Sequence, residues 1–127
     1  MSKPVLLDSN IVIDVLNGIE SARRYFKRLS VRRISAATVF EVLVGCTGKR
    51  KNQLPVAQEL FRVCEVVDFT QEDASRAAEL FIESPRKKEK ILDYFIAATA
   101  ENNGMEIATR NARDFKTVKA FEPYRLK

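Results

Sequence analysis

Short apolar runs of strand length alternate with longer segments of helical periodicity along this chain, and that alternation limits its possible folds more than any other feature. Val5-Leu6-Leu7 is fully apolar and follows Pro4, as a buried parallel strand would. Asp8-Ser9-Asn10 ends the run, and a helix is expected over residues 11–16, stopping at Asn17-Gly18. Residues 19–29 are amphipathic, with Tyr25, Phe26 and Leu29 on one face and Arg23, Arg24, Lys27 and Arg28 on the other. The pattern then predicts a strand over 33–36, a helix over 37–46, a basic connector at Lys49-Arg50-Lys51, a helix over 56–63 and a strand over 65–69. Thr70 opens a helix that reaches about Glu83, and Ser84-Pro85-Arg86-Lys87-Lys88 breaks it. A strongly apolar helix over 91–102 ends at Asn103-Gly104, with strands expected over 105–109 and 118–121.

Strands that alternate with helices imply an α/β fold, a mainly parallel sheet of four or five strands flanked by helices. With 127 residues and no repeat or linker, residues 1–127 read as one domain. The apolar run before Asp8 is too short for a signal peptide or a membrane span. Cys46 and Cys64 form no C-x-x-C pair, so two reduced thiols and a cytoplasmic location are expected.

The chain has no histidine. That excludes a Ser-His-Asp triad, a Cys-His pair, a histidine base and a histidine metal ligand. Any catalysis must rest on carboxylates or other oxygen, amine or thiol groups. A net charge of +5 suits a polyanionic partner but is also common in proteins that bind none.

Four acids stand out by position. Asp8 directly follows the first strand, at the carboxyl edge where open α/β sheets gather ligands, although an Asx turn or helix cap would explain it equally. Thr38-Val39-Phe40-Glu41 fits a capping box, with Thr38 as the cap, and also puts Glu41 near the end of the preceding strand. Asp93 has Ile96, Ala97 and Ala100 as helical neighbours, so it is expected in a buried helix, where a carboxylate needs a salt bridge, hydrogen bonds, a raised pKa or a cation. Asp114 lies just past the fourth strand, where a turn or cap role is again the plain alternative. Setting the four aside leaves 13 of the 17 acidic residues against 22 basic ones, a net +9. An all-oxygen cluster in so positive a molecule favours a hard cation, Mg²⁺ or Mn²⁺.

In order, Asp8-Ser9-Asn10, Thr38-x-x-Glu41, Leu92-Asp93-Tyr94-Phe95-Ile96-Ala97-Ala98 and Thr109-Arg110-Asn111-x-x-Asp114-Phe115 resemble the PIN-domain nucleases, especially the VapC toxins of type II toxin–antitoxin (VapBC) pairs. The resemblance runs from about Val5 to about Phe121. It implies a Rossmann-like domain and a metal-dependent endoribonuclease, with Asp8, Glu41, Asp93 and Asp114 as catalytic metal ligands. Ser9, Asn10, Thr38, Thr109 and Asn111 are the matching supporting polar positions. Ser9 stands where such toxins usually have threonine, which keeps the hydroxyl. An RNA substrate, a VapB-type antitoxin and a homodimer are further implications. Arg110, Arg113, Lys49, Arg50, Lys51, Arg86, Lys87 and Lys88 are candidates for guiding RNA, each with a solvated surface as its ordinary alternative. A PIN nuclease of RNA maturation, a receiver-like signalling module with Asp68 as acceptor, and a non-catalytic RNA-binding module remain the competing readings.

Overall fold

The computed structural model describes residues 3–84 and 90–126; Pro85, Arg86, Lys87 and Lys88 lie outside the described residues. Five strands form one sheet: β1 Val5–Leu7, β2 Arg33–Ser35, β3 Glu65–Val67, β4 Glu106–Ala108 and β5 Ala120–Phe121. Their order is β3-β2-β1-β4-β5, and every pairing is parallel. The helices are α1 Ser9–Leu16, α2 Glu20–Arg28, α3 Ala36–Gly45, α4 Leu54–Arg62, α5 Gln71–Glu83 and α6 Ile91–Asn102. Short 3-10 turns span Gly48–Gln53 and Ala112–Asp114.

Successive strand side chains point to opposite faces, and here each face carries its own core. Leu7 pairs in register with Ile34 and Ala108, and all three pack with α1, α2, α3 and α4. Leu6 pairs with Ile107, and both pack with α5 and α6 on the other face. Both sides of β1 are therefore buried, which is why it reads as an uninterrupted apolar run. Full burial of Leu6, Leu7, Ile34 and Ile107 stabilises the fold by roughly 1.5–3 kcal/mol for each side chain.

The chain builds the sheet outward from β1 through β2 to β3, then returns past β1 to lay down β4 on its other side. The crevice between the carboxyl ends of β1 and β4 is thus a topological switch point, the usual ligand position in such sheets. Asp8 follows β1 and Thr109 follows β4, and the two strand ends are tied by Asp8 N–H donating to Ala108 C=O at 2.9 Å.

Several boundaries differ from the sequence expectation. Ser35, not Thr38, caps α3; its hydroxyl accepts from Ala37 N–H at 2.9 Å. The helix therefore starts earlier, and Thr38 becomes a fully buried residue of its first turn. β3 ends at Val67 and not at Phe69, because it pairs only with the three residues of β2. α6 matches its predicted span, and Gly104 supplies the left-handed φ of +63° that turns the chain into β4. Among the described residues, no helix is long and apolar enough to cross a membrane.

Candidate active site

Asp8 is the extended residue that ends β1 and caps α1. Its Oδ1 accepts from Ser9 N–H at 2.7 Å and its Oδ2 from the Thr109 hydroxyl at 2.7 Å. The cap role and the strand-edge role foreseen as alternatives are therefore one geometry. Asp8 is only 6% exposed. Burial, above all, pushes its pKa up to about 6 from an ordinary 3.8. The charges of Asp93 and Glu41 push the same way, while the bonds from Thr109 and Ser9 pull it down.

The supporting residues form one network around this carboxylate. The Ser9 hydroxyl donates to Glu41 Oε1 at 2.6 Å and lies 3.0 Å from Thr38 Oγ1. Asn10 spans the crevice: its amide nitrogen donates to Thr109 Oγ1 at 3.2 Å, and its carbonyl accepts from Arg110 N–H at 3.2 Å. Asn111 N–H donates to Thr109 Oγ1 at 3.1 Å. Glu41 lies in the second turn of α3 and not the first, because the helix starts at Ala36. That still leaves it in reach of Ser9.

Asp93 differs from the expectation. α6 is buried along most of its length, but Asp93 sits in its first turn and is half-buried. There the helix dipole favours a negative charge. Asp93 is close enough to Asp8 to raise its pKa, which joins α6 to the same site. Asp114 ends the 3-10 turn after β4, with the Lys90 ammonium 4.0 Å from its Oδ2. Asp93 and Asp114 both line a cavity of about 600 Å³ that also takes in Arg113 and Lys116.

Asp8, Asp93 and Glu41 present only carboxylate oxygens, and the charges of Asp93 and Glu41 already disfavour the charge on Asp8; Asp114 shares the cavity with Asp93. That chemistry fits a hard divalent cation. Among the described residues, no three acidic or thiol side chains are grouped so that together they could hold a metal ion. Mg²⁺ commonly needs only one or two carboxylates, keeping waters or substrate phosphates as its other ligands, so an open site suits it.

The basic candidates separate. Arg113 lies at the cavity, whereas Arg110 forks onto Asp14. Lys49, Arg50 and Lys51 are exposed in the 3-10 turn beyond the far end of α3, away from the strand edge where that helix begins. Arg86, Lys87 and Lys88 lie outside the described residues. Asp68 is exposed after edge strand β3, on the far side of β2 from the crevice.

The sequence pattern of the PIN domain matches residues 5–120. The chain belongs to the PIN-domain family. Solved structures similar to this PIN domain include a toxin–antitoxin complex from Klebsiella pneumoniae at 29% identity, with a TM-score of 0.80, covering 96% of this chain and 99% of that one. FitAcB from Neisseria gonorrhoeae is 27% identical, with a TM-score of 0.77 and coverage of 96% and 99%. DNA-bound VapBC from Salmonella typhimurium, at 21% identity and a TM-score of 0.80 over 97% and 100%, shares the fold. No curated protein matches the chain.

Two buried acids of this PIN domain escaped the sequence reading: Asp14 within the apolar stretch of α1, and Asp73 in the first turn of α5. Asp14 carried the same signal as Asp93, a lone charge in an apolar helix, and would have been found by the same argument. Asp73 completes a capping box with Thr70, with aspartate where glutamate or glutamine is usual.

Proposed function

We propose that this protein is a divalent-metal-dependent endoribonuclease, a single PIN domain acting in the cytoplasm as the toxin of a toxin–antitoxin pair. The observation that carries the nuclease reading is the buried Asp8 carboxylate, held at the switch point by Thr109 and Ser9 and facing the charges of Asp93 and Glu41. The toxin reading draws on the likeness to the K. pneumoniae toxin–antitoxin complex, matched over nearly the full length of both chains. That likeness also supports an antitoxin partner; the homodimer is carried over from the family.

In this reading Asp8 and Asp93 hold the cation, Mg²⁺ or Mn²⁺, with Glu41 and Asp114 acting through water or on a second ion. When bound, the cation would lower the pKa of a water and offset charge on the scissile phosphate. Thr109 fixes Asp8 from across the crevice, Ser9 fixes Glu41, and Asn10 and Asn111 keep Thr109 in place. Arg113 and Lys116 stand at the cavity beside Asp93 and Asp114, where they can draw in the RNA backbone.

The test is cleavage of structured and unstructured RNAs by wild type and Asp93→Asn, each with Mg²⁺, Mn²⁺ or EDTA, with folding followed by thermal melting. Expected are metal-dependent cleavage by wild type, 5′-phosphate ends, and no cleavage by a folded Asp93→Asn protein. A 2′,3′-cyclic phosphate product would rule out attack by water. Absence of both cleavage and metal-induced stabilisation in wild type would rule out the nuclease.

A further inference from the structure

Helix α1 buries a charge that its core does not require. Asp14 is 5% exposed, lies between Ile13 and Val15, and receives three donors. Arg110 Nε and Nη2 reach its two oxygens at 2.7 and 3.3 Å, and the Tyr124 hydroxyl donates to Oδ2 at 2.6 Å. A forked guanidinium–carboxylate pair fixes direction as well as distance. Buried pairs of this kind can often be replaced by apolar side chains without loss of stability, so the geometry held deserves more weight than the energy.

The geometry concerns the loop after β4. Thr109, Arg110 and Asn111 are consecutive, and Thr109 is the residue that donates to Asp8. At one end α1 holds this loop through Asp8 and Asn10; six residues on, roughly 9 Å along the helix, it holds it again through Asp14. Two anchors on one rigid helix set the angle of the loop, which one anchor would not. Tyr124 also packs edge-on against Tyr25 of α2, with ring centroids 6.4 Å apart, which brings the C-terminal segment into the same junction.

We infer that Asp14, Arg110 and Tyr124 form a clamp that holds the Thr109–Asn111 loop against Asp8, and that Asp14 is a positioning residue for the reaction. This rests on the nuclease reading above. Without the clamp, Thr109 can leave Asp8, and the released Arg110 cation stands one residue from the threonine that bonds that carboxylate. Displacement of an orienting group by about 1 Å can cost on the order of a hundredfold in rate.

The experiment compares wild type, Asp14→Asn, Arg110→Gln, the double variant and Tyr124→Phe, with Asp73→Asn as a control. Asp73 is as deeply buried but lies on α5, away from this loop. The readouts are kcat and KM for RNA cleavage, Mn²⁺ affinity by electron paramagnetic resonance, and amide exchange of residues 109–111. For Asp14→Asn we expect kcat to fall about tenfold to a hundredfold with KM within about threefold, weaker Mn²⁺ binding and faster exchange at 109–111. The double variant should be no worse than its worse single, as for two residues acting through one contact. Asp73→Asn should lower the melting temperature and leave kcat and Mn²⁺ affinity unchanged. Wild-type behaviour of Asp14→Asn, or an equal kcat loss in Asp73→Asn, would overturn the clamp. If Asp14→Asn fails to fold, Tyr124→Phe decides, with a smaller kcat loss expected and none refuting. If wild type cleaves no RNA, the nuclease reading falls, and unchanged exchange and Mn²⁺ affinity in the variants would overturn the clamp as well.

Discussion

Replacing Asp8 with asparagine should stabilise the metal-free protein. Asp8 loses its proton near pH 6 in the folded chain and near 3.8 when unfolded. Between those values the folded state binds more protons, so stability falls as pH rises from about 4 to about 6 and then levels off. A displacement of roughly two pKa units corresponds to about 3 kcal/mol of destabilisation above pH 6. Asparagine removes that cost. Its carbonyl oxygen can still accept from Ser9 N–H, but its amide nitrogen meets the Thr109 hydroxyl, which must rotate to accept; that should return about 1 kcal/mol. The net gain is about 2 kcal/mol at pH 7.5, or a melting temperature higher by roughly 8 °C for a domain of this size. The assay is thermal unfolding of both proteins in EDTA at pH 4.5, 6 and 7.5, with the difference between them as the quantity of interest. It should vanish or reverse at pH 4.5, where protonated wild-type Asp8 no longer carries the cost. A variant that melts at or below wild type at pH 7.5, or a difference independent of pH, would refute the reasoning. Adding Mn²⁺ at a hundred times its dissociation constant should raise wild type alone by about 2.7 kcal/mol and reverse the order.

Asp73→Ala removes the acceptor for Thr70 N–H, the Thr99 hydroxyl and the Asn102 amide, so it should cost about 3 kcal/mol in urea unfolding, with kcat unaltered at temperatures where the protein is folded. The Cys64 thiol is half-buried and burial pushes its pKa up to about 11, so roughly one molecule in three thousand carries a thiolate at pH 7.5. Iodoacetamide should therefore label Cys64 far more slowly in the native protein than in urea, and equal rates would contradict the burial.

Periodicity revealed the sheet because parallel strands buried on both faces have only one way to look: Val5-Leu6-Leu7 could hardly be anything else. Strand ends were less legible, since pairing partners set them. Phe69 has the right composition for β3 but finds no partner beyond Ser35 of β2. The cap of α3 is ambiguous in sequence because Ser35 and Thr38 both suit the role, and only the point where β2 stops decides between them. Asp93 lies shallower than its apolar helix suggests, because an average over the helix says nothing about its first turn, which here opens at the sheet edge. Asp8 and Glu41 are legible as strand-edge positions, whereas Asp93 is legible only as a charge in an apolar helix. The route by which Ser9 links Asp8 to Glu41 depends on side-chain distances that no spacing contains.

The raised pKa of Asp8 has a further consequence for any cation it takes. A carboxylate must lose its proton to ligate, so binding and proton release are linked. At pH 6 about half of the metal-free molecules carry a proton on Asp8; at pH 7.5 only about 3% do. Mn²⁺ binding should therefore release roughly half a proton per ion at pH 6 and almost none at pH 7.5 from this group. Calorimetric titration in buffers of different ionisation enthalpy measures that number directly. Apparent affinity should fall close to tenfold per pH unit below 6, where Asp8 is mostly protonated, and flatten above 7. Asp8→Asn removes the titrating group, so any residual binding should lose this pH dependence. Tight binding by wild type with no proton release at pH 6 would mean that the cation does not use Asp8, and that the burial of this carboxylate serves the fold through Thr109 and Ser9 alone.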